Sequence, residues 1–208
     1  MNSHSLHNAR LQFIGKVLAI CTHELRNHLA IIRESAGLIM DTVDYAISKR
    51  QVPNITKPLE NIDKQANRST AFLTVLSSFC HRLDHETSTF DINKLIEELL
   101  TLINRRLNQQ EIVVSRDYEE DMRSVENCPS LLQFLLFCVI ERLPNRSSLT
   151  IKTKSDRDGI MILLISDQPL EDDAAEGLIG SKGLIEESAK IMGIDVTIGT
   201  LECRLAIK

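Results

Sequence analysis

Residues 11–49 read LQFIGKVLAICTHELRNHLAIIRESAGLIMDTVDYAISK, and this stretch decides the architecture. From about Ala9 to Lys49 there is no proline, and the only glycines are Gly15 and Gly37. Leu11, Leu18, Leu25, Ile32, Ile39 and Ala46 fall seven apart, flanked by Ile14, Cys21, Leu29, Ala36 and Val43. An apolar seam with that spacing predicts one continuous amphipathic helix. About 40 helical residues reach about 60 Å, too long for a core element of a small globule. Such a helix must pair in a bundle. Gln51–Pro58, with two prolines and an asparagine, reads as a turn. A second helix is expected from about Leu59 to Leu83, with Leu59, Ile62, Ala66, Leu73, Leu76, Cys80 and Leu83 on one face. Two long helices joined by a short connection form an antiparallel hairpin, and one pair alone buries its stripes poorly. Pairing of two chains in a homodimeric four-helix bundle is the simplest remedy.

Beyond the polar stretch Asp84–Thr89 the texture changes. A helix is expected over Asp91–Asn108 and a short strand over Glu111–Arg116. Pro129 suits a helix start, with Ser130–Leu143 continuing it. Strands over Leu149–Lys154 and Ile160–Ser166 flank a turn at Asp156–Gly159. A helix near Gly183–Met192 stops at Gly193, and short strands near Val196–Ile198 and Arg204–Ile207 close the chain. The expected fold class is α+β: a helical hairpin over residues 1–86, then an α/β sandwich with one sheet over residues 87–208.

Bulk properties bound the function. The 208 residues are 43% hydrophobic and 25% charged, with a net charge of −5 and no block of like charge. Nothing there recommends a nucleic-acid partner. No apolar run approaches the ~18 residues of a membrane span, and Met1–Arg10 lacks a signal peptide's apolar core. The cysteines Cys21, Cys80, Cys128, Cys138 and Cys203 are odd in number and scattered, which predicts free thiols in a reducing compartment. A cytoplasmic protein is expected.

His23 carries the chemistry. It lies two positions before Leu25, about 160° round the helix from the seam, with Asn27 on its own face and Glu24 beside it. A neutral imidazole is a good nucleophile toward phosphorus, and a neighbouring carboxylate can fix its tautomer and stabilise the imidazolium. Ile20, Ala30, Ile31 and Leu38 form a weaker apolar strip near it, either a docking surface for the partner that exchanges the phosphoryl group or a second core face of the bundle. His81 and His85, four apart near Cys80 and Asp84, could suggest a metal, but with no spaced partners they read as dipole complements at a helix end.

The run Thr22-His23-Glu24-Leu25-Arg26-Asn27-His28-Leu29-Ala30 resembles the H-box of two-component sensor histidine kinases. Asn67–Leu83 and Phe90-Asp91-Ile92 resemble that family's second helix and the start of its catalytic domain. The resemblance implies that His23 is the phosphorylated residue and Glu24 its acid–base partner. It implies that Asn27 occupies the position that orients water in members with phosphatase activity. Arg26 joins the apolar strip as a residue expected to meet the partner. His28 stands where a proline usually bends the helix, so this helix is expected to run straighter.

The second half resembles the family's Bergerat-type ATPase domain, with departures where nucleotide would bind. The N-box segment Leu131-Leu132-Gln133-Phe134-Leu135-Leu136 aligns, but the two asparagine positions hold Phe137 and Glu141. Phenylalanine cannot ligate an ion. Asp167 matches the adenine-reading aspartate, yet Gln168-Pro169-Leu170 replaces a glycine-bearing turn. Gly180-Ser181-Lys182-Gly183-Leu184 resembles the second glycine box with half its glycines missing, and fifteen residues between Asp167 and Gly183 leave no room for an ATP lid. Four departures together argue against ATP binding. Glu171-Asp172-Asp173 is expected as a solvated loop in the lid's place.

An intact phosphoacceptor helix joined to a derelict ATPase domain looks like the ChpT-like dimeric histidine phosphotransferases, which relay phosphoryl groups between aspartates of response-regulator receiver domains. The expected partners are a second copy and such receivers, in a bacterial phosphorelay. The receiver brings the Mg²⁺, and this chain holds no cofactor or metal of its own. Three rival readings stay open: an ATP-dependent sensor kinase with an atypical nucleotide site, an unphosphorylated scaffold or phosphatase-type pseudokinase, and a plain dimerisation module.

Overall fold

The fold, given by a computed structural model, is described for residues 3–156, 159–171 and 179–207. The long helix forms as its apolar spacing requires: α1 runs unbroken from Ser3 to Lys49. The second helix, α2 (Thr56–His81), starts earlier than the prolines suggest. Pro58 sits in its first turn, where backbone N–H groups have no intrahelical acceptor and none is lost. Phe13 meets Phe79, and His28 meets Ser69, so the two helices run antiparallel.

Which apolar lines close inside one chain differs from the expectation. On α1 the buried line is Leu6, Ala9, Phe13, Val17 and Cys21. Phe13 lies about 160° round from Leu11, so the first half of α1 carries two apolar faces. The other face stays open: Leu11 is 54% exposed and Leu18 41%. Leu25, Ile32 and Ile39 are half-buried, and Ala46 is buried. On α2 the buried heptad is Pro58, Gln65, Phe72 and Phe79, one residue before the expected Leu59, Ala66, Leu73 and Cys80, which are exposed. Each helix therefore uses one stripe within the chain and leaves a second uncovered.

A short antiparallel pair, β1 (Ser88–Phe90) and β3 (Val125–Asn127), was not legible in the sequence. Helix α3 (Ile92–Gln109) is started by Asp91, whose carboxylate accepts from the Lys94 amide. Strand β2 (Val113–Tyr118) pairs parallel with β4 (Ser148–Asp156), and β5 (Gly159–Ser166) pairs antiparallel with β4. With β6 (Ile194–Ile198) and β7 (Glu202–Ile207) they form one mixed sheet in the order β2-β4-β5-β7-β6. The turn between β4 and β5 at residues 157–158 and the acidic positions Asp172 and Asp173 lie outside the described residues.

Helix α4 (Pro129–Ile140) explains how the halves join. Every one of its residues is buried, because Leu131-Leu132-Gln133-Phe134-Leu135-Leu136-Phe137-Cys138 is apolar almost all round. A helix apolar on every side must be covered on every side. Helix α5 (Lys182–Met192), ended by Gly193 in the left-handed region at φ 66, packs beside it. The N-terminal half of α1 covers another side. Phe13 is the wedge, with ring centres 4.9 Å from Phe137, 5.7 Å from Phe134 and 5.8 Å from Phe79. One core thus runs through hairpin and sandwich.

Phe13→Ala should remove the wedge and destabilise the chain by about 3–5 kcal/mol in chemical denaturation. Burial holds the free thiols protonated: Cys21 is pushed up to about 11, and Cys138 and Cys203 to about 12, from an ordinary value of 9.0. Folded values above the unfolded one mean that this stabilisation is complete below pH 9 and lost as pH rises through 11–12. Unfolding free energy measured across that window should fall, and replacing Cys203 by valine should flatten the fall.

Candidate functional site

His23 is exposed on α1, as the helical angle requires. It sits at the edge of the face that docks on the second domain. There α3 brings up Arg105, whose Nη2 stands 3.5 Å from His23 Nε2. The same guanidinium places Nη1 3.7 Å from a carboxylate oxygen of Glu24. The other Glu24 oxygen lies 3.4 Å from His28 Nε2. Glu24 therefore turns toward His28 and Arg105.

His28 is not a passive replacement for a proline. It is 9% exposed, its Nδ1 lies 3.1 Å from the Ser69 hydroxyl, and its ring meets Phe72 edge-on. Ser69 in turn donates to the Gln65 carbonyl. A buried imidazole needs partners on both nitrogens, and Glu24 and Ser69 supply them. The helix passes through unbroken.

Of the other expected site residues, Asn27 is half-buried and Arg26 is exposed. Ala30, Ile31 and Leu38 are exposed, Leu38 by 55%. Ile20 is half-buried and packs on the core, so it is partly committed to the fold. Beside Glu24 opens a cavity of about 220 Å³, lined by Phe72, Thr101, Asn104, Arg105 and Arg116. His81 pairs with Asp84 at 3.0 Å on the hairpin's far end.

The positions aligned with the nucleotide boxes have contacts of their own. Phe137 lies against Phe13 and under the Lys16 ammonium. The Glu141 carboxylate, 7% exposed, accepts from Lys16 Nζ at 3.0 Å and from Arg106 Nη2 at 2.8 Å. Asp167 caps the Ser148 amide at 2.7 Å. Gly180, at φ 94, leads into α5 with Ser181 as N-cap. Phe137 offers no oxygen, and the Glu141 carboxylate is spanned by two cations.

Sequence reading missed Phe13, Lys16, Arg105 and Arg106. The signal for the first two was the all-round apolarity of α4, which requires a cover from outside the sandwich. For the arginines there was no local signal.

No family model matches the sequence. Sporulation kinase B of Bacillus subtilis (strain 168) is 20% identical over 167 residues, which span 79% of this chain and 38% of that protein. The chain thus matches well under half the length of this relative. Among solved structures, the catalytic domain of histidine kinase ThkA matches 59% of the chain and 97% of its own length at TM-score 0.50 and 12% identity. Histidine kinase AdeS of Acinetobacter baumannii matches 89% of the chain and 97% of its own length at TM-score 0.50 and 16% identity. At such identities the likeness shows the fold alone: a mixed α+β chain folded like these histidine kinases. No helix among the described residues is long and apolar enough to cross a membrane.

Glu141→Ala should leave Lys16 and Arg106 without their shared counter-ion. Both cations are partly solvated and can rehydrate, so the loss should be about 2 kcal/mol, well below that of a sealed ion pair. Urea unfolding of the variant checks it, and Glu141→Gln should restore part of the loss.

Proposed function

We propose that this chain is a histidine phosphotransfer protein that passes phosphoryl groups between receiver aspartates through His23, and that it does not load His23 from ATP. One juxtaposition carries the reading. An exposed imidazole stands on the hairpin, and about two to three turns before it on the same helix the nucleotide-box positions of the second domain contact that hairpin. Phe137 faces Phe13, and Glu141 faces Lys16. A kinase cycle needs the ATPase domain to offer a nucleotide to the histidine, and here those positions hold the two halves together.

In this reading the partner is a response-regulator receiver, which supplies an aspartyl phosphate and its own Mg²⁺. Neutral His23 attacks phosphorus through Nε2 with its proton on Nδ1. The long contact from Arg105 fits that tautomer, because a guanidinium only donates and Nε2 must accept. Ala30, Ile31 and Leu38 offer exposed apolar surface for the receiver, with Arg26 nearby. Asn27 shares His23's face and would orient water if the phosphohistidine is hydrolysed. Glu24 acts on the ring indirectly, through the charge it shares with Arg105. In this reading the chain works in the manner of the ChpT-like phosphotransferases.

The same reading takes the chain as a homodimer. Leu11 and Leu18 on α1, with Leu59 and Leu73 on α2, leave apolar heptad lines that a second hairpin would bury in a four-helix bundle.

Mixing the purified chain with a receiver domain phosphorylated by labelled acetyl phosphate should produce acid-labile, base-stable phosphate on the chain. His23→Gln should abolish it. Labelled ATP with Mg²⁺ should give no phosphohistidine. Efficient labelling from ATP would instead make the chain a sensor kinase, and unlabelled chain that still accelerates loss of receiver phosphate would make it a phosphatase-type pseudokinase.

A further inference from the structure

We infer that Arg105, supplied by the second domain, is the cationic ligand of the phosphoryl group carried on His23, so that the phosphoacceptor site is built from both halves of the chain. The inference rests on the reading of His23 as the phosphoacceptor and adds a residue, a charge and a role for the second domain.

The geometry supports it in three ways. First, the guanidinium stands between the two groups that matter: Nη2 is 3.5 Å from His23 Nε2 and Nη1 is 3.7 Å from Glu24. Guanidinium presents five donors in a rigid fork, so one edge can stay on Glu24 while the other turns to oxygens outside Nε2. Second, the side chain is 25% exposed, so an arriving phosphoryl group can reach it without first unpacking it. Its contacts to Glu24 and His23 are both long, so they are easily exchanged. Third, the position is fixed from behind. The next residue, Arg106, is held on Glu141, and Glu141 on Lys16 of α1. The aromatic wedge at Phe13 lies on the same face of α1. Arg116 lines the same cavity but is engaged by Glu97 at 2.7 Å.

The transfer step balances. The Nε2 lone pair of His23 attacks phosphorus, and the bond from phosphorus to the donor carboxylate oxygen breaks, its electron pair leaving with that oxygen. The ring keeps its proton on Nδ1 and becomes a phosphorylated imidazolium. Before attack, Arg105 gives up Nε2. Afterwards it donates to phosphoryl oxygens, where a guanidinium–phosphate contact is charge-assisted and can be bidentate. The negative charge that gathers on those oxygens is met by a group already in place, which needs little reorganisation.

The test uses the full chain and a donor that needs no protein partner. Radiolabelled phosphoramidate transfers its phosphoryl group to an accessible imidazole with ammonia as leaving group. Acid-labile label on His23 is followed in time, with the ³¹P resonance of the product as a second readout. Wild type should carry label on the peptide that holds His23, and His23→Gln should lose that component and keep only the label of the other exposed histidines, His7, His81 and His85. Arg105→Gln should label about 10²-fold more slowly, with a displaced ³¹P resonance, and Arg105→Lys should fall between because it keeps the charge without the fork. Arg68→Gln, an exposed arginine on α2, should match wild type. Wild-type labelling rates and an unmoved resonance in Arg105→Gln would overturn the role of Arg105 while leaving His23 as phosphoacceptor. Equal labelling of wild type and His23→Gln, or none of either, would overturn the reading on which it rests. A slowed Arg105→Gln with an unmoved resonance and a lowered melting temperature, not rescued by lysine, would make Arg105 a merely structural contact and also overturn the inference.

Discussion

The placement of Phe13 against Phe79, Phe134 and Phe137 is the constraint on which the rest depends. Helix α4 has no polar face to offer water, so after the sheet, α3 and α5 have packed around it one side still requires a cover. The first turns of α1 provide it. Three rings at edge and tilted angles around a fourth make a directional contact as well as an apolar one. Docking there fixes α3 along α1, and only then can a side chain of α3 stand next to His23.

Two residues at nucleotide-box positions take part in this docking. A phenylalanine at Phe137 has no oxygen for a cation, but it is a large apolar surface that a neighbouring helix can bury. A carboxylate at Glu141 would bring negative charge toward a triphosphate. Between Lys16 and Arg106 it instead bonds the two halves. Both side chains serve the interface between hairpin and sandwich. The sandwich also presents a cation, Arg105, beside the histidine.

Around His23 the electrostatics are arranged in a chain: Ser69 to His28, His28 to Glu24, Glu24 to Arg105, Arg105 to His23. Buried polar side chains tolerate such a site only when each finds a partner. The chain runs from the hairpin interior to the surface. Within it Glu24 faces both His28 and Arg105.

Much of the local structure was written in the sequence. The unbroken apolar period from Leu11 to Ala46 dictated α1. Its angle of 100° per residue put His23 outside, because both are properties of a single helix. The strands and helices of the sandwich followed from their apolar patterns and from stops such as Gly193, whereas the parallel pairing of β2 with β4 did not. What could not be read locally was which of two apolar stripes closes first. Phe13 and Leu11 are equally apolar, and Phe72 and Leu73 equally periodic, so only the shape of the surface they meet decides between them. Arg105 is 82 residues from His23, on a helix with its own amphipathic logic, and nothing in either segment names the other. Their meeting is a product of the packing of α1 on α3 and α4, and so belongs to the tertiary structure alone.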